Sequence, residues 1–398
     1  MRIEMKAACA AAFLVAWSPA AFAASLSGQP FPLDPTAPSD LVYMSAYDSG
    51  GGAFGVVLSE SATTTSPPSA VYLQLFDAKG KRDGKKALVF QSAGLGLAGG
   101  VIPSGALPLS NGKTLVSYFD PRAAQSGFFS GMYAQAMSAK NKPSGKELTI
   151  AQTQPNQFAY GFLLPLSDGR GFAYWTASNG QTATDSKGKF VSTDGKLGPV
   201  DVDLSRKKSQ FTGATPYLTG FIGQYATYAK DLSKASVYAQ IFDADGKKTG
   251  KEATLEENGA FNDAVNTSAI GLEDGSIVVI RSVAFKKGAK LTAQLHDGNW
   301  NPVGKQKVLY NDLVEQHYVA HPLAGGDFIL GVKVKDGTKD VALEYSRFRP
   351  SLKQSGASAR IAGVKKPDFM WLLELENGNV FAAYASNGKQ LTGQLIKP

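Results

Sequence analysis

The feature that most constrains this chain is a repeated two-part segment. Residues 237–246 read VYAQIFDADG and are followed by TGKEATL at 249–255. The same arrangement occurs at 71–80 (VYLQLFDAKG), followed by DGKKALV at 83–89. Weaker or degenerate copies lie at 132–136 with 144–150, 291–295 with 303–309, 341–361, 189–204 and 391–395. Internal self-similarity of this kind indicates that one structural unit is repeated along the chain.

A second recurrent element is a tight-turn dipeptide between two apolar stretches. Asn-Gly, Asp-Gly and Gly-Gly supply the positive φ angles of two-residue hairpin turns. From the first dipeptide to the last, the spacing averages about 54 residues, which is typical of a propeller or solenoid period. The seven dipeptides are Gly50-Gly51, Asn111-Gly112, Asp168-Gly169, Thr219-Gly220, Asp274-Gly275, Gly325-Gly326 and Asn377-Gly378.

Within one period the sequence predicts four strands. In the fifth unit they are residues 265–272, 276–282, 291–296 and 303–309. β-Branched and aromatic residues dominate these segments, and no apolar stripe with a 3.6-residue spacing competes with them. Seven four-stranded units of this length predict an all-β fold, a seven-bladed β-propeller that forms a single domain over residues 24–398.

The two ends of the repeat predict how the ring closes. The chain stops after a third strand at 390–397, so the last unit lacks its fourth strand. Residues 27–33 (SGQPFPL) resemble the fourth-strand segment SGKEL at 144–148, and they precede the first strand of unit one at 41–46. The N-terminal strand is therefore predicted to close the last blade. Its prolines would lie in an outer edge strand, where they are tolerated.

The unit Gln-x-Phe-Asp-x-x-Gly with x-Gly-Lys-Glu resembles the repeats of secreted and periplasmic bacterial β-propeller proteins. The resemblance covers essentially the whole chain after residue 23, and it implies a fold without a specific activity. The unit is also similar in part to the repeat of pyrroloquinoline-quinone dehydrogenases. The gap from Asp243 to Gly250 is longer than in that repeat, and Leu255 occupies the position of its docking tryptophan. Both departures argue against a quinoprotein.

The first 23 residues are predicted to be a cleaved export signal. Arg2 and Lys6 precede the apolar segment 7–16, and an Ala-Phe-Ala cleavage site ends at Ala23. The apolar segment is too short to span a membrane. We therefore expect a periplasmic or secreted protein without a transmembrane span. The only cysteine, Cys9, would leave with the signal, so no disulfide is expected.

Several motifs that can bind ligands are interpreted as structural. Residues 243–246 begin like a calcium loop but lack the later ligands, which favours a plain turn. Residues 192–195 and 297–300 resemble incomplete sialidase Asp-boxes. His317 and His321 are four residues apart in a predicted strand, where that spacing spans about 13 Å and chelation would need a bend. The sequence predicts neither a metal nor a cofactor, and no motif identifies a catalytic residue.

Long connections are predicted on one face of the propeller and tight turns on the other. Loops on a rigid scaffold carry function more often than turns do. Each fourth-to-first connection ends in a polar residue followed by an apolar or aromatic one, just before the strand that lines the channel. Packing of the aromatic members between blades is the alternative that the sequence leaves open. The predicted ligand-binding residues at the channel mouth are Asp40, Gln157, Gln210, Gln316, His317 and Asp368.

The chain is basic, with 41 Lys and Arg against 33 Asp and Glu and a net charge of +8. Basic clusters attract anionic partners over roughly 8–10 Å. Nucleic acid is not expected, because an exported chain without a base-stacking motif has no use for it. A solvated lysine-rich surface is the alternative. The predicted basic patch consists of Arg206, Lys207, Lys208, Lys365 and Lys366.

Two functions remain open. The first is a monomeric, non-enzymatic binding or scaffold propeller of the bacterial envelope, which engages a protein or an anionic glycan through its loop face. The second is a propeller-type glycan hydrolase or lyase with mouth carboxylates such as Asp40, Asp263 and Asp368. A glycosidase needs two carboxyl groups roughly 5–10 Å apart. Convergence of two of these carboxyl groups in one pocket would therefore favour the second function.

Overall fold

The computed structural model describes residues 24–34, 44–61, 68–92, 101–124, 127–154, 157–178, 183–206, 209–286, 288–337, 340–365, 367–386 and 390–398. Within these ranges the chain forms β-strands and one short helix, α1 (Phe261–Val265). No helix there is long and apolar enough to cross a membrane. The predicted residues that lie outside the described ranges are the export signal at 1–23, Asp40, Lys207, Lys208 and Lys366.

Most of the strands are short, and they are rich in the β-branched and aromatic residues that favour β-structure. In chain order they are β1 (Ser25–Pro32), β2 (Met44–Gly50), β3 (Ala53–Ser61), β4 (Pro68–Phe76), β5 (Arg82–Gln91), β6 (Ile102–Pro108), β7 (Thr114–Ala124), β8 (Gly127–Met137), β9 (Leu148–Gln152), β10 (Phe158–Pro165), β11 (Gly171–Ser178), β12 (Ala183–Val191), β13 (Val202–Asp203), β14 (Gln210–Tyr217), β15 (Gly220–Tyr228), β16 (Lys234–Phe242), β17 (Lys248–Ala260), β18 (Thr267–Gly271), β19 (Ile277–Phe285), β20 (Gly288–His296), β21 (Pro302–Pro322), β22 (Phe328–Asp336), β23 (Asp340–Phe348), β24 (Ala359–Val364), β25 (Pro367–Glu374), β26 (Val380–Ser386) and β27 (Gln390–Lys397).

These strands form five separate four-stranded sheets and one seven-stranded sheet in the part of the chain that the structure describes. Four of the four-stranded sheets are antiparallel meanders in chain order: β2–β5, β6–β9, β10–β13 and β14–β17. The fifth has the order β1-β27-β26-β25. The prediction of four-stranded blades is confirmed. The predicted count is not, because the structure has five separate blades where the sequence predicts seven.

The seven-stranded sheet, β18 to β24, arises from the long strand β21. The first half of β21 pairs with β20 as far as Leu313, and β22 pairs with β21 at Leu313 and then from Tyr318 onward. No glycine or proline occurs between residues 305 and 321. Since nothing in this stretch breaks the extended backbone, the connection that elsewhere separates two sheets remains a strand here.

The innermost strands contact one another in a closed ring. β2 contacts β6, which contacts β10, and the series continues through β14, β18, β21 and β25 back to β2. Aromatic side chains fill the space between neighbouring sheets. Phe172 stacks on Phe221 with ring centroids 4.1 Å apart, and Phe54 stacks on Phe381 at 4.4 Å. Sheets packed radially around a common axis are the arrangement of a β-propeller.

The N-terminal strand completes the sheet that the C-terminal strands begin. Ser25 pairs with Lys397 and Pro32 pairs with Thr392, antiparallel to β27. β1 lies at the outer edge of the sheet, where its prolines leave no ladder bond unmade. The pairing predicted from residues 27–33 is confirmed by this register.

The two ends of the sheets differ in their connections. First-to-second and third-to-fourth turns share one end, where the Ser110 amide donates to the Thr193 carbonyl at 2.8 Å. We term this end the turn face. The second-to-third and fourth-to-first connections share the other end, the loop face, where the Thr153 amide donates to the Ser130 carbonyl at 2.9 Å.

Two residues of the repeated segment, its glutamine and its aspartate, form hydrogen bonds within the sheets. Gln240 donates from Nε2 to the Thr249 carbonyl at 2.7 Å, bridging the third and fourth strands. Asp243 Oδ1 accepts from the backbone amides of Asp245 and Lys247, both at 2.9 Å. These bonds close the third-to-fourth turn, so Asp243 is a turn residue as predicted.

Candidate functional site

Gln210 and Gln316, two of the predicted mouth residues, donate side-chain hydrogen bonds to other segments of the chain. Gln210 opens β14, and its Nε2 donates to the Tyr160 hydroxyl on β10. Gln316 donates from Nε2 to Asp263 Oδ1 in α1 and to the Ser282 carbonyl, the latter at 3.0 Å. The Gln210 amide therefore fixes one sheet to the next, whereas the Gln316 amide joins β21 to α1 and to β19 of the same seven-stranded sheet.

Of the remaining mouth residues, the structure describes the side chains of Gln157 and His317. Gln157 folds onto its own connection, and its Oε1 accepts from the Gln154 amide at 3.3 Å. Asp368 belongs to β25, but its side chain lies outside what the structure describes, as does all of Asp40. Asp263 Oδ1 also accepts from the Ala284 amide at 3.0 Å. The proposed convergence of mouth carboxyl groups is therefore unsupported by the described side chains.

His317 lies beside a buried lysine at the loop-face end of β21 and β22. Lys333 is 5% exposed, and its Nζ forms an ion pair with Glu315. Tyr318 pairs with Val332, so the register brings His317 next to Lys333. Partial burial and the Lys333 ammonium lower the pKa of His317, against the opposing effect of Glu315. The imidazole is therefore neutral at pH 7.

Four exposed aromatic side chains occur in three consecutive repeat units, three of them toward the loop face and Phe162 in the middle of β10. Tyr160 and Phe162 are 38% and 45% exposed on the innermost strand β10. Tyr228, at the end of β15, is 36% exposed, and Phe285, at the end of β19, is 46% exposed. They are all of the aromatic residues among the exposed large hydrophobic side chains in the described ranges. Such a concentration of apolar surface marks interaction sites.

One ring contact and one hydrogen bond link Tyr228 and the end of β19 to the short helix α1. The Tyr228 ring lies 5.7 Å from the Phe261 ring of α1. Burial and the neighbouring Tyr160 raise the pKa of Tyr228, so both phenols stay neutral and can donate hydrogen bonds. The bond between Ala284 and Asp263 holds the end of β19 against α1. We term Tyr160, Phe162, Tyr228, Phe261 and Phe285 the aromatic strip.

The sequence contains no signal that separates the aromatic strip from the core. Phe211 also stands at the start of an innermost strand, and it is buried between sheets against Tyr174 and Tyr225. The alternative that aromatic members pack between blades is therefore correct for Phe211. Tyr160 also lies near the start of an innermost strand, β10, yet its side chain remains exposed. The alternation of apolar and polar residues shows which side chains share a face of the strand, but it does not show how deeply that face is buried.

Arg206, from the predicted basic patch, packs between two sheets. Its Nε and Nη2 donate to the two carboxylate oxygens of Glu252 at 2.8 and 2.9 Å. Its guanidinium also lies over the Tyr238 ring, 3.6 Å from the centroid. Lys365 is exposed in the connection between β24 and β25. Attraction of a ligand by this patch stays a prediction, and Arg206 already has protein partners.

Three described carboxylates, those of Asp48, Glu374 and Glu376, connect neighbouring sheets at the turn face. Glu374 Oε2 accepts from the Ala324 amide at 2.8 Å, and Glu376 accepts from the Gly51 amide. The Glu376 amide donates to Asp48 Oδ2 at 2.8 Å. Each carboxylate thus holds the turn of a neighbouring sheet. These contacts are structural links around the ring of turns.

His321 is hydrogen-bonded within the ring of inner strands, as the sequence predicts. Its Nε2 accepts from the Glu374 amide at 3.2 Å. Burial lowers the pKa of His321 to about 4, so the ring is neutral and able to accept. Among the residues with described positions, no three His, Cys, Asp or Glu side chains are grouped to hold a metal ion.

Comparisons with known proteins extend only to the fold. The chain matches no protein-family model and no curated protein. A polysaccharide lyase, an ulvan lyase with bound saccharide, matches with a TM-score of 0.52 and 10% identity over 93% of this chain and 94% of that chain. A second polysaccharide lyase matches with a TM-score of 0.52 and 9% identity over 91% and 90%. The fold is a β-propeller.

The β-propeller domain of the Trilobed protease from Pyrococcus furiosus also matches. Its TM-score is 0.47 and its identity 11%, over 90% of this chain and 94% of that domain. Propellers of similar geometry perform unrelated functions, so a function for this propeller must be argued from its own side chains.

Proposed function

We propose that this chain is an exported, non-enzymatic β-propeller that binds a partner at its loop face. The observation that carries the proposal is the aromatic strip. Burial of apolar surface contributes roughly 25 cal/mol of stabilising free energy for each Å². An aromatic ring that stays in water does not make this contribution. Tyrosine and phenylalanine are also enriched where proteins bind partners. The rest of the described surface keeps its aromatic rings covered.

The architecture supplies a rigid platform for this strip. We infer that the seven-stranded sheet is two blades that share β21, since its halves pair with different neighbours. The ring of innermost strands then has seven members, and β1 closes the last blade. A closed ring fixes the loop-face connections relative to one another, so ligand contacts need little reordering.

The partner is an envelope protein or an anionic glycan, and the propeller acts as a monomer without a cofactor. The predicted signal at residues 1–23 supports an envelope or extracellular location. Gln210 and the Tyr160 hydroxyl supply polar groups beside the strip. Apolar rings with a few placed hydrogen-bonding groups are the usual composition of a binding site.

The test is capture of partners from the envelope fraction, followed by mass spectrometry. One double variant carries Tyr228→Ser and Phe285→Ser in the aromatic strip. The matched control carries Leu88→Ser and Val308→Ser, which are similarly exposed on outer strands. We expect the strip variant to lose its partner and the control to retain it, with unchanged melting temperatures for both. Equal capture by both variants would refute the loop-face site.

A glycan lyase or hydrolase is the second candidate. The observation that favours it is the grouping of Glu315, His317 and Lys333, since a neutral imidazole can accept a proton beside an ammonium that stabilises negative charge. Incubation with acidic polysaccharides and measurement of new chain ends tests it. Cleavage that is lost in a His317→Ala variant would establish an enzyme. Absence of cleavage supports the binding function.

A further inference from the structure

The aromatic strip is framed by exposed lysines that form no salt bridge within the described residues. Two follow the end of β15 and two follow the end of β19, so all four flank strip residues. In the described portion of the chain, none of them forms a salt bridge, although fifteen other basic-to-acidic contacts do occur. The four lysines are Lys230, Lys234, Lys286 and Lys290.

The acidic side chains of the same segments do not cancel this charge. Within the described residues of the two connections and α1, they are Asp231 and Asp263. Asp231 Oδ1 accepts from the amide and hydroxyl of Ser233, at 3.0 and 2.7 Å. Asp263 accepts from Gln316 and from the Ala284 amide. Both carboxylates accept hydrogen bonds within their own segments, and Lys234 also lowers the pKa of Asp231, so the four lysines outnumber two carboxylates that already have partners.

The four exposed rings by themselves offer less area than a standard protein interface. An aromatic side chain has roughly 150–250 Å² of surface, so the four exposed rings together offer roughly 300 Å². A standard protein interface buries about 800 Å² on each partner. A narrow chain with flat rings and repeated negative charges matches the strip better. Its contacts can be distributed along three repeat units without an enclosed pocket.

We propose that the aromatic strip binds a linear acidic polysaccharide. Sugar rings would lie against Tyr228 and Phe285, and acidic substituents would approach the four lysines, whose ammonium groups pair with anionic oxygens. The Tyr160 hydroxyl and the Gln210 amide are positioned to bind sugar hydroxyl groups. This inference rests on the proposed function and specifies its ligand.

The test uses polygalacturonate and dextran sulfate as probes, with neutral dextran of similar length as the reference. We expect an acidic probe to bind the parent protein at least tenfold more tightly than dextran, and binding to weaken as salt rises. A loop-face quadruple variant changes Lys230, Lys234, Lys286 and Lys290 to Gln. A turn-face control changes Lys79, Lys81, Lys140 and Lys142 to Gln, all of them exposed and without a described salt bridge.

Both quadruple variants lose four positive charges, so diffuse attraction by net charge changes equally in the two. We expect the loop-face variant to weaken binding at least tenfold, about 1.4 kcal/mol, and the control less than twofold. Equal weakening in both would overturn the inference. Equal binding of dextran would also overturn it.

A further arm separates this inference from the proposed function. If neither acidic probe binds the parent, but capture of an envelope protein depends on Tyr228 and Phe285, the polysaccharide is wrong and the loop-face site stands. If capture does not depend on those two residues, the proposed function fails as well. Tyr228→Ala, which leaves every lysine in place, should weaken probe binding if the rings contact the sugar.

Discussion

Gln394, in the last strand, donates from Nε2 to the backbone carbonyl of Ser27 at 3.2 Å, across 367 positions of the sequence. Gln294 makes the same contact with the Val303 carbonyl, also at 3.2 Å, within one continuous part of the chain. The repeat glutamine therefore bridges third and fourth strands whether or not the chain is continuous between them. In the last blade this bridge is part of the closure of the ring.

Replacing Gln394 should destabilise the closure. Its side chain is fully buried, so Gln394→Ala leaves the buried Leu395 carbonyl, as well as the Ser27 carbonyl of β1, without this donor. A buried polar group left unpaired costs about 1–3 kcal/mol. We expect a loss of this size in the free energy of unfolding by denaturant. Gln294→Ala, at a more exposed site, should cost less. A smaller loss for Gln394→Ala than for Gln294→Ala would contradict the bridge.

Removing β1 should cost more than any single side chain. Deletion of residues 25–32 exposes the backbone of β27 as an unpaired edge, and such edges promote aggregation. We expect a lower melting temperature and concentration-dependent aggregation in light scattering. An added peptide with the sequence of residues 24–34 should partly reverse both effects. A deleted protein with the parent's melting temperature and no aggregation would show that closure does not depend on β1.

Arg122 should be among the most sensitive charged residues. It donates to Asp120 at 2.9 Å and to both oxygens of Glu147 at 2.9 Å, and it covers the Tyr133 ring at 3.5 Å. Arg122→Ala leaves a buried Asp120 carboxylate without its cation, for which about 3–5 kcal/mol is typical. Arg360→Ala, in an exposed pair, should cost below about 1 kcal/mol. Denaturant unfolding of both variants measures the contrast.

Lowering the pH should reduce the stability of the folded protein through His321. Its folded-state pKa of about 4 lies below its ordinary value near 6.5, so the unfolded chain binds the proton more readily between these values. Stability from this group is present above pH 6.5 and is lost as the pH falls toward 4. Melting temperatures between pH 7 and pH 4 should therefore decline less in His321→Gln than in the parent protein.

Glu374 acts in the opposite direction and provides the control for this prediction. Burial raises its pKa, and Glu273 and Asp48 raise it further, while the Ala324 amide and Arg347 lower it. The folded state therefore binds this proton more readily, and acid favours folding through Glu374. Glu374→Gln should make the acid decline steeper. A shallower decline in Glu374→Gln would contradict the assignment of these two groups.

The repeats in the sequence predict the architecture because each is a local pattern. The Gly-rich turns, the strand alternation and the fourth-strand resemblance of residues 27–33 are all readable within about ten positions. The predicted number of separate blades is wrong because of residues 305–321. The absence of Gly and Pro there lets one strand pair with both β20 and β22. Nothing in a repeat period marks such continuity.

The candidate site is less predictable than the fold. The burial of a side chain and the residue that it contacts both depend on distant parts of the sequence. Gln210 begins β14 and Gln316 lies within β21, and ligand binding by either residue stays a prediction. The sequence does not show that Arg206 meets Glu252, 46 positions away. It also does not show that Tyr160 stays exposed where Phe211 is buried. Both outcomes depend on which sheets become neighbours, and therefore on the closed ring.

The central claim, that the loop face binds the partner, is tested most directly by hydrogen–deuterium exchange of the protein with and without its captured partner or an acidic probe. We predict slower exchange in peptides that contain residues 225–235 and 282–291, and unchanged exchange in the turn-face peptides at 77–84 and 138–146. Protection confined to the turn face, or to the outer strands, would contradict the claim.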